Sequence, residues 1–468
     1  MSLSLGASPQ WTRRNVLQAG ALSGAGLGLS ALLERRARGA ELTADLQNSS
    51  AGTGFGRAKS CLFILQYGGA PQQDMWDMKP EAVEEIRGAF QPIETNIPGI
   101  HICEKMPLLS RQADKYSLVR SMTTWDGGHD GAMHICMTGQ QQPTEHSPYY
   151  GSLASKFLPT ASQLPAYVWV QNLAGDVRPW YLTGGLLGMS HSPLRVGNDL
   201  DNPSNPAFKF TAFDPPEGSS IGRLSDRYQL LNSLDDRRAA DVSPAEFRQF
   251  QDKAFDLVTG AEARDAFDLD LEPIETRERY GRHPLGQNLL MARRLIESGV
   301  RLVTVVAWAG TPPGEQFRNV QTWDMHGVLY QPDDSIFGRS AYGLSWVLPN
   351  LDQGLSALLE DMQQRGLLED TLVAMVGEFG RTPKVNARGR DHWPSCYTAM
   401  FAGGGIRGGM VHGSTDGQAG YVIDKPVTPP DFSATLFHAL GIPPETRYGL
   451  DGFSNKISEG QAVVDLFG

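Results

Sequence analysis

Acidic and histidine side chains recur directly after three apolar runs of this chain. The first run, in "CLFILQYGG", leads into "GGAPQQDMWDMKP" with Asp74 and Asp77. The second, "VRLVTVVAW", is followed across a Pro/Gly-rich stretch by "TWDMHG", with Asp324 and His326. The third, "TLVAMV", runs straight into "GEFGRTPKVNARGRDHWP", which carries Glu378, Arg381, Asp391 and His392. Carboxylates and imidazoles without thiolates are what Zn²⁺, Mn²⁺ or Mg²⁺ sites use. Several converging anions repel unless arginines or metals balance them. Asp324 and His326, two apart in an extended loop, can bite one ion together. Asp391 and His392 would diverge on a strand, but in a glycine-flanked loop both can turn inward. Arg381 has the planar fork to clamp a tetrahedral oxyanion at two points, where a metal polarises the same group. A lone Asp-x-His, or Arg-Asp-His-Trp, is more often an ordinary loop pair. Recurrence at successive run ends is what argues for a metal site.

The elements that must position these residues read as an α/β fold with a mostly parallel central sheet. "PLGQNLLMARRLIESG" predicts a helix closed by Gly299, followed by the strand in "VRLVTVVAW". "SWVLPNLDQGLSALLEDMQQRG" predicts a helix closed by Gly366, followed by the strand in "TLVAMVGEFG". Two helix–Gly–strand units in succession favour a parallel sheet covered by helices. In such sheets ligands gather beyond the carboxyl ends of the strands, where the acidic and histidine residues fall. "GAMHICMTG" predicts a short helix. Residues 160–280 are loop-rich and read as an inserted or cap region. Within them "SPAEFRQFQDKAFDLVTG" predicts an amphipathic helix opened by a capping-box-like Ser-x-x-Glu.

The first forty residues read as a separate segment. Arg13 and Arg14 precede a weakly apolar Gly/Ala/Leu run and the small-residue exit "ARGA". This is the pattern of an export signal of the twin-arginine (Tat) type. It implies the Tat translocase as a partner, a periplasmic or extracellular location, and no stable membrane insertion once the signal is removed. Residues 41–58 read as a polar leader, and 59–468 as the folded domain. The whole chain carries 41 basic and 52 acidic residues, a net charge of −11. Without residues 1–40, which hold five arginines and one glutamate, the counts become 36 and 51 and the net charge −15. That acidity excludes nucleic acid and anionic membrane surfaces as expected partners. Cys61, Cys103, Cys136 and Cys396 are far apart in apolar contexts and read as buried thiols. "AGGGIRGG" lacks the lysine of a phosphate-binding loop and reads as a tight turn.

Taken together, "GGAPQQDMWDMKP", "PLGQNLLMARRLIESGVRLVTV", "WDMHG", "GEFGRTPKVNARGRDHWP" and "AGGGIRGGMVHGSTD" resemble the DUF1501 proteins of the alkaline phosphatase/sulfatase superfamily. The resemblance runs from about residue 60 to the end. It implies an alkaline-phosphatase-like fold with helices on both faces of the sheet. It also implies a divalent-metal site of two-metal type acting on a small anionic ester, a phosphate or a sulfate. Asp74 matches the superfamily's first-strand metal aspartate, Asp324 and His326 its Asp…His pair, and His392 the downstream histidine. Glu378 and Phe379 stand where that pattern has Asp-His, so a ligating histidine is replaced by phenylalanine. The superfamily's Ser, Thr or Cys nucleophile lies nine residues before a Thr-Gly; here Thr138-Gly139 puts His129 at that place. Three readings of His129 stay open: a metal ligand beside an attacking water, a nucleophile forming a phosphohistidine, or a residue of a non-catalytic envelope protein that keeps the fold for binding. Asp77, His134, His412 and His438 are expected to have structural or orienting roles.

Overall fold

Eight strands form the central sheet of the computed structural model: Ser60–Leu65 (β1), Tyr116–Met122 (β2), Tyr167–Val170 (β3), Leu194–Val196 (β4), Leu302–Val306 (β5), Thr371–Val376 (β6), Tyr397–Ala402 (β7) and Met410–His412 (β8). The structure describes residues 53–468 apart from 159, 161, 174–183, 215–218, 239–244, 330–333 and 450–454. The expected export signal, most of the leader and the expected capping box at Ser243 lie outside the described residues. Gly56–Gly468 make up one unit.

The strand order is β8-β2-β7-β6-β1-β5-β3-β4. β6, β1, β5, β3 and β4 run parallel to one another, while β7 is antiparallel to both β6 and β2. The mostly parallel sheet is therefore as expected. Two of its strands, β3 and β4, come from the 160–280 segment expected as an insert, which thus supplies one edge of the sheet as well as loops. Ile221–Arg238 and Ala245–Thr259 are helical within that segment.

The apolar runs follow from burial on both faces. Along β1, Leu62 and Ile64 face one core, with Val303, Val305, Val373 and Met375 beside them. That core is roofed by the helices Pro284–Glu297 and Leu344–Gln364. Cys61, Phe63 and Leu65 point the other way, toward the helices His129–Thr138, Tyr150–Phe157 and Pro429–Ala439. The period-two alternation of a strand allows this two-sided burial. All four cysteines are free and buried. Gly299 and Gly366 end the two expected helices at φ +92° and +70°. Arg293, fully buried between the two roofing helices, is paired with Glu272, Glu297 and Asp361 at 2.8–2.9 Å.

Because β6 and β7 are antiparallel neighbours, residues 377–396 between them form a long hairpin loop. It leaves the sheet at the carboxyl ends of β6, β1 and β5. The charged "GEFGRTPKVNARGRDHWP" stretch is therefore held over one edge by a strand at each end.

His283 caps the helix Pro284–Glu297, its Nδ1 accepting the Gly286 N–H at 3.2 Å. Its Nε2 is buried without a hydrogen-bond partner. Burial holds the pKa down to about 4, and protonating Nδ1 would also abolish the cap. Folded and unfolded forms are both neutral above pH ~6.5, so His283 has no effect on stability there. As pH falls from there to about 4 the unfolded chain takes up a proton that the folded chain refuses. Stability is then lost at about 1.4 kcal/mol per pH unit. His283→Asn, a cap that does not titrate, is expected to flatten this acid limb in urea-denaturation midpoints measured from pH 7 to 4. Parallel losses in both proteins would contradict the assignment.

Candidate metal centre

Three parallel strands and one helix deliver the site. Gly68 and Gly69 follow β1, Trp323–His326 lie beyond β5, Glu378–Arg381 follow β6, and His129 opens the helix His129–Thr138. The loops meet closely. At Gly68 (φ +117°) a Cβ would lie 2.3 Å from the Asp324 nitrogen, and at Gly69 (φ +84°) 2.6 Å from the Phe379 ring. Side chains are excluded at both positions, by contact and by conformation.

One carboxylate oxygen stands at the centre. Asp324 Oδ1 has His326 Nε2 at 2.9 Å, His392 Nε2 at 3.0 Å, His129 Nε2 at 3.2 Å and Arg381 Nη2 at 2.6 Å. The Nε2 atoms of His326 and His392 are 3.0 Å apart. His129, Asp324 and His392 each place a ligand atom within 4.8 Å of the other two. Phe379, which stands where the resemblance has a ligating histidine, packs its ring 4.4 Å from that of His392 and 5.1 Å from that of His129, and so forms an apolar wall of the cluster.

Each imidazole is held from behind. His129 Nδ1 lies 2.9 Å from Glu378 Oε1, His326 Nδ1 3.1 Å from Asp391 Oδ1, and His392 Nδ1 2.7 Å from the Gly127 carbonyl. All three partners are acceptors, so each Nδ1 carries a proton, and a ring in its neutral form turns an Nε2 lone pair inward. Burial opposes a charge on His129, but Asp324 and Glu378 outweigh it and raise its pKa to about 9. Burial pushes His392 down, reinforced by the charges of Arg381 and His129. Burial also opposes the charge on Asp324, yet the three imidazoles and Arg381 hold its carboxyl well below the ordinary range. A neutral His392 facing a carboxylate at 3.0 Å sets a lone pair against an anion. A cation between them resolves that conflict. The donor set of imidazoles and one carboxylate, with outward nitrogens fixed by acceptors, fits a divalent transition ion or zinc.

The DUF1501 family profile, described as a protein of unknown function, matches residues 58–467. The chain belongs to the DUF1501 family. No curated protein matches it in sequence. Solved structures that this DUF1501 protein resembles include a sulfatase from Pseudoalteromonas sp., at 12% identity and TM-score 0.36 over 92% of this chain and 77% of that one. Another is a phosphonate monoester hydrolase from Silicibacter pomeroyi, at 11% and 0.35 over 86% and 75%. A third is a protein in the alkaline phosphatase superfamily from Vibrio parahaemolyticus, at 12% and 0.35 over 83% and 67%.

The expected site residues of this DUF1501 chain divide into three groups. His129, Asp324, His326 and His392 meet at the centre. Glu378 and Asp391, expected as ligands, stand one hydrogen bond out, orienting His129 and His326. Asp391 and His392 do diverge: the Asp391 side chain is 52% exposed, whereas His392 turns inward opposite Arg381 in a two-residue ladder. Asp74 and Arg381 are corrections. Both oxygens of Asp74 are taken by Arg390, at 2.7 and 3.0 Å, with both side chains fully buried. Asp74 does not join the cluster of ligand-type side chains that His129, Asp324 and His392 form. Arg381 is also fully buried. It donates to the carbonyls of Gly69 (2.9 Å), Arg390 (2.9 Å), Trp323 (3.1 Å) and Gly68, besides Asp324. Nε–H, one Nη1–H and both Nη2–H go to these acceptors and the second Nη1–H faces His326 Nε2 at 3.4 Å, which removes Arg381 as an oxyanion clamp. Arg390 went unremarked in the sequence. The signal for it was alternation: with Asp391 outward, residues 390 and 392 of an extended segment both face in. Asp77 accepts from Thr415 and lies 3.0 Å from Lys79.

Arg381→Met leaves Asp324 and four loop carbonyls without their donor. It is expected to cost about 3–5 kcal/mol in urea denaturation, the size typical of a broken buried ion pair. Full stability with lost turnover would instead return Arg381 to the substrate.

Proposed function

We propose that this DUF1501 protein is an exported metal-dependent hydrolase of phosphate or sulfate esters. The observation that carries the proposal is the convergence of three imidazole Nε2 atoms on Asp324 Oδ1, with every Nδ1 held by an acceptor. His129, Asp324 and His392 would hold the ion, with His326 adjoining, and His129 is thus read as a ligand and not a nucleophile. A bound divalent ion supplies Lewis acidity to the ester oxygen and balances charge that develops there. Glu378, Asp391 and the Gly127 carbonyl fix which nitrogen each ring presents. Arg381 holds Asp324 ionised and ties together the loops after β1, β5 and β6. Phe379 keeps water from one side of the cluster. The other side, with Asp391 52% and the His392 side chain 23% exposed, is where an anionic ester would enter. Export rests on the Arg13-Arg14 segment. Among the described residues, no helix is long and apolar enough to cross a membrane.

A second reading, a metal-holding envelope protein without turnover, is favoured by the saturation of Arg381, which leaves that guanidinium no free donor for an oxyanion.

Elemental analysis of protein purified without chelator, with aryl phosphate, phosphodiester and aryl sulfate assays, decides between them. The hydrolase reading predicts retained metal and turnover that is abolished by chelation and restored by metal. Glu378→Gln, which weakens the hold on His129, is expected to lower metal affinity about 10–100-fold. Retained metal without turnover on any ester supports the binding protein. A chain that retains no metal and is not activated by any sinks the metal-dependent reading.

A further inference from the structure

We infer that the site takes a single divalent ion, and that the buried guanidinium of Arg390 fills the place of a second one. The inference rests on the metal-dependent reading above but departs from the two-metal arrangement implied by the sequence. Three observations carry it.

Among the described residues, His129, Asp324 and His392 are the group of three ligand-type side chains drawn within 4.8 Å of one another. Asp74, which the resemblance matches to a metal-binding aspartate, is gripped by Arg390 through Nε and Nη2. That guanidinium is itself tied to the Ile86 carbonyl at 2.8 Å, the Thr382 carbonyl at 3.1 Å and the Pro383 carbonyl. Its planar fork meets both carboxylate oxygens at once, and with both side chains fully buried an ion at Asp74 would sit against a fully satisfied buried cation.

Charge balance gives the same answer. Asp74, Asp324, Glu378 and Asp391 are faced by Arg381 and Arg390, the imidazoles being neutral as ligands. The set lacks two positive charges, or one if the half-exposed Asp391 is left to solvent. One divalent ion meets that need, and a second would leave an uncompensated excess in a buried place. An arginine at Asp74 also makes that half of the site permanent, because guanidinium neither dissociates nor titrates in the working range.

The test uses the intact protein loaded with Mn²⁺, dialysed free of excess, and measured by elemental analysis and by electron paramagnetic resonance. The inference predicts one manganese per chain with the spectrum of an isolated ion. Asp74→Asn should leave that stoichiometry and spectrum unchanged, while Asp324→Ala loses the ion. Two ions per chain with a spin-coupled spectrum would overturn the inference while sparing the metal-dependent reading. No bound ion would overturn both. Since Asp74→Asn strips a buried arginine of its partner and risks misfolding, the wild-type stoichiometry and spectrum decide the matter on their own.

Discussion

The structure turns on the surroundings of Asp324 Oδ1. Three imidazole nitrogens and one guanidinium nitrogen approach that oxygen within 3.2 Å. Arg381 is a true donor, but the outward hydrogen bonds of the rings leave their neutral forms with lone pairs pointing inward. Such an arrangement is held by protons or by a metal ion. Because His129 and His392 are pushed in opposite directions, the protons do not suffice for every ring near neutrality. The fold accepts that conflict at the carboxyl edge of its sheet, where buried strands release loops whose polar groups must find partners.

Arg381 and Arg390 explain how so much charge is carried beneath the surface. Each is fully buried, and each joins a carboxylate to backbone carbonyls from other segments. Arg381 stitches Gly68–Gly69 to Trp323–Asp324, and Arg390 stitches Asp74 to Ile86 and to Thr382–Pro383. The loops around the site are therefore set by guanidinium hydrogen bonds more than by regular secondary structure. This rigidity holds the outward nitrogens of the three imidazoles in register with their acceptors.

Much of this was legible in the sequence. The helices ending near Gly299 and Gly366, the strands after them and the strand ahead of Gly68 follow from apolar runs and glycine stops, which are local signals. Asp324, His326 and His392, which meet in the structure, were singled out by type and by position after apolar runs, and His129 through the resemblance alone. What remained hidden was the order of contact. Spacing cannot tell a carboxylate that faces the centre of the cluster from one that meets the back of an imidazole, so Glu378 and Asp391 were expected at the centre and stand instead behind His129 and His326. Nor can it reveal that Asp74 pairs with a residue 316 positions away. The fate of Arg381 was obscured for a related reason. Its acceptors are main-chain carbonyls, which carry no sequence signature. The strands Tyr167–Val170 and Leu194–Val196 were missed because both are short and sit amid loop-rich sequence.

The two departures from the pattern that the resemblance implied, at His129 and Phe379, share one account. His129 enters the cluster through Nε2, while Phe379 packs against the rings of His129 and His392. X-ray absorption at the zinc edge of the loaded wild-type protein tests that account most directly. It predicts nitrogen and oxygen neighbours at about 2.0–2.1 Å, outer-shell scattering from at least two imidazoles, and no sulfur. A zinc environment without imidazole scattering, or one containing sulfur, would contradict it.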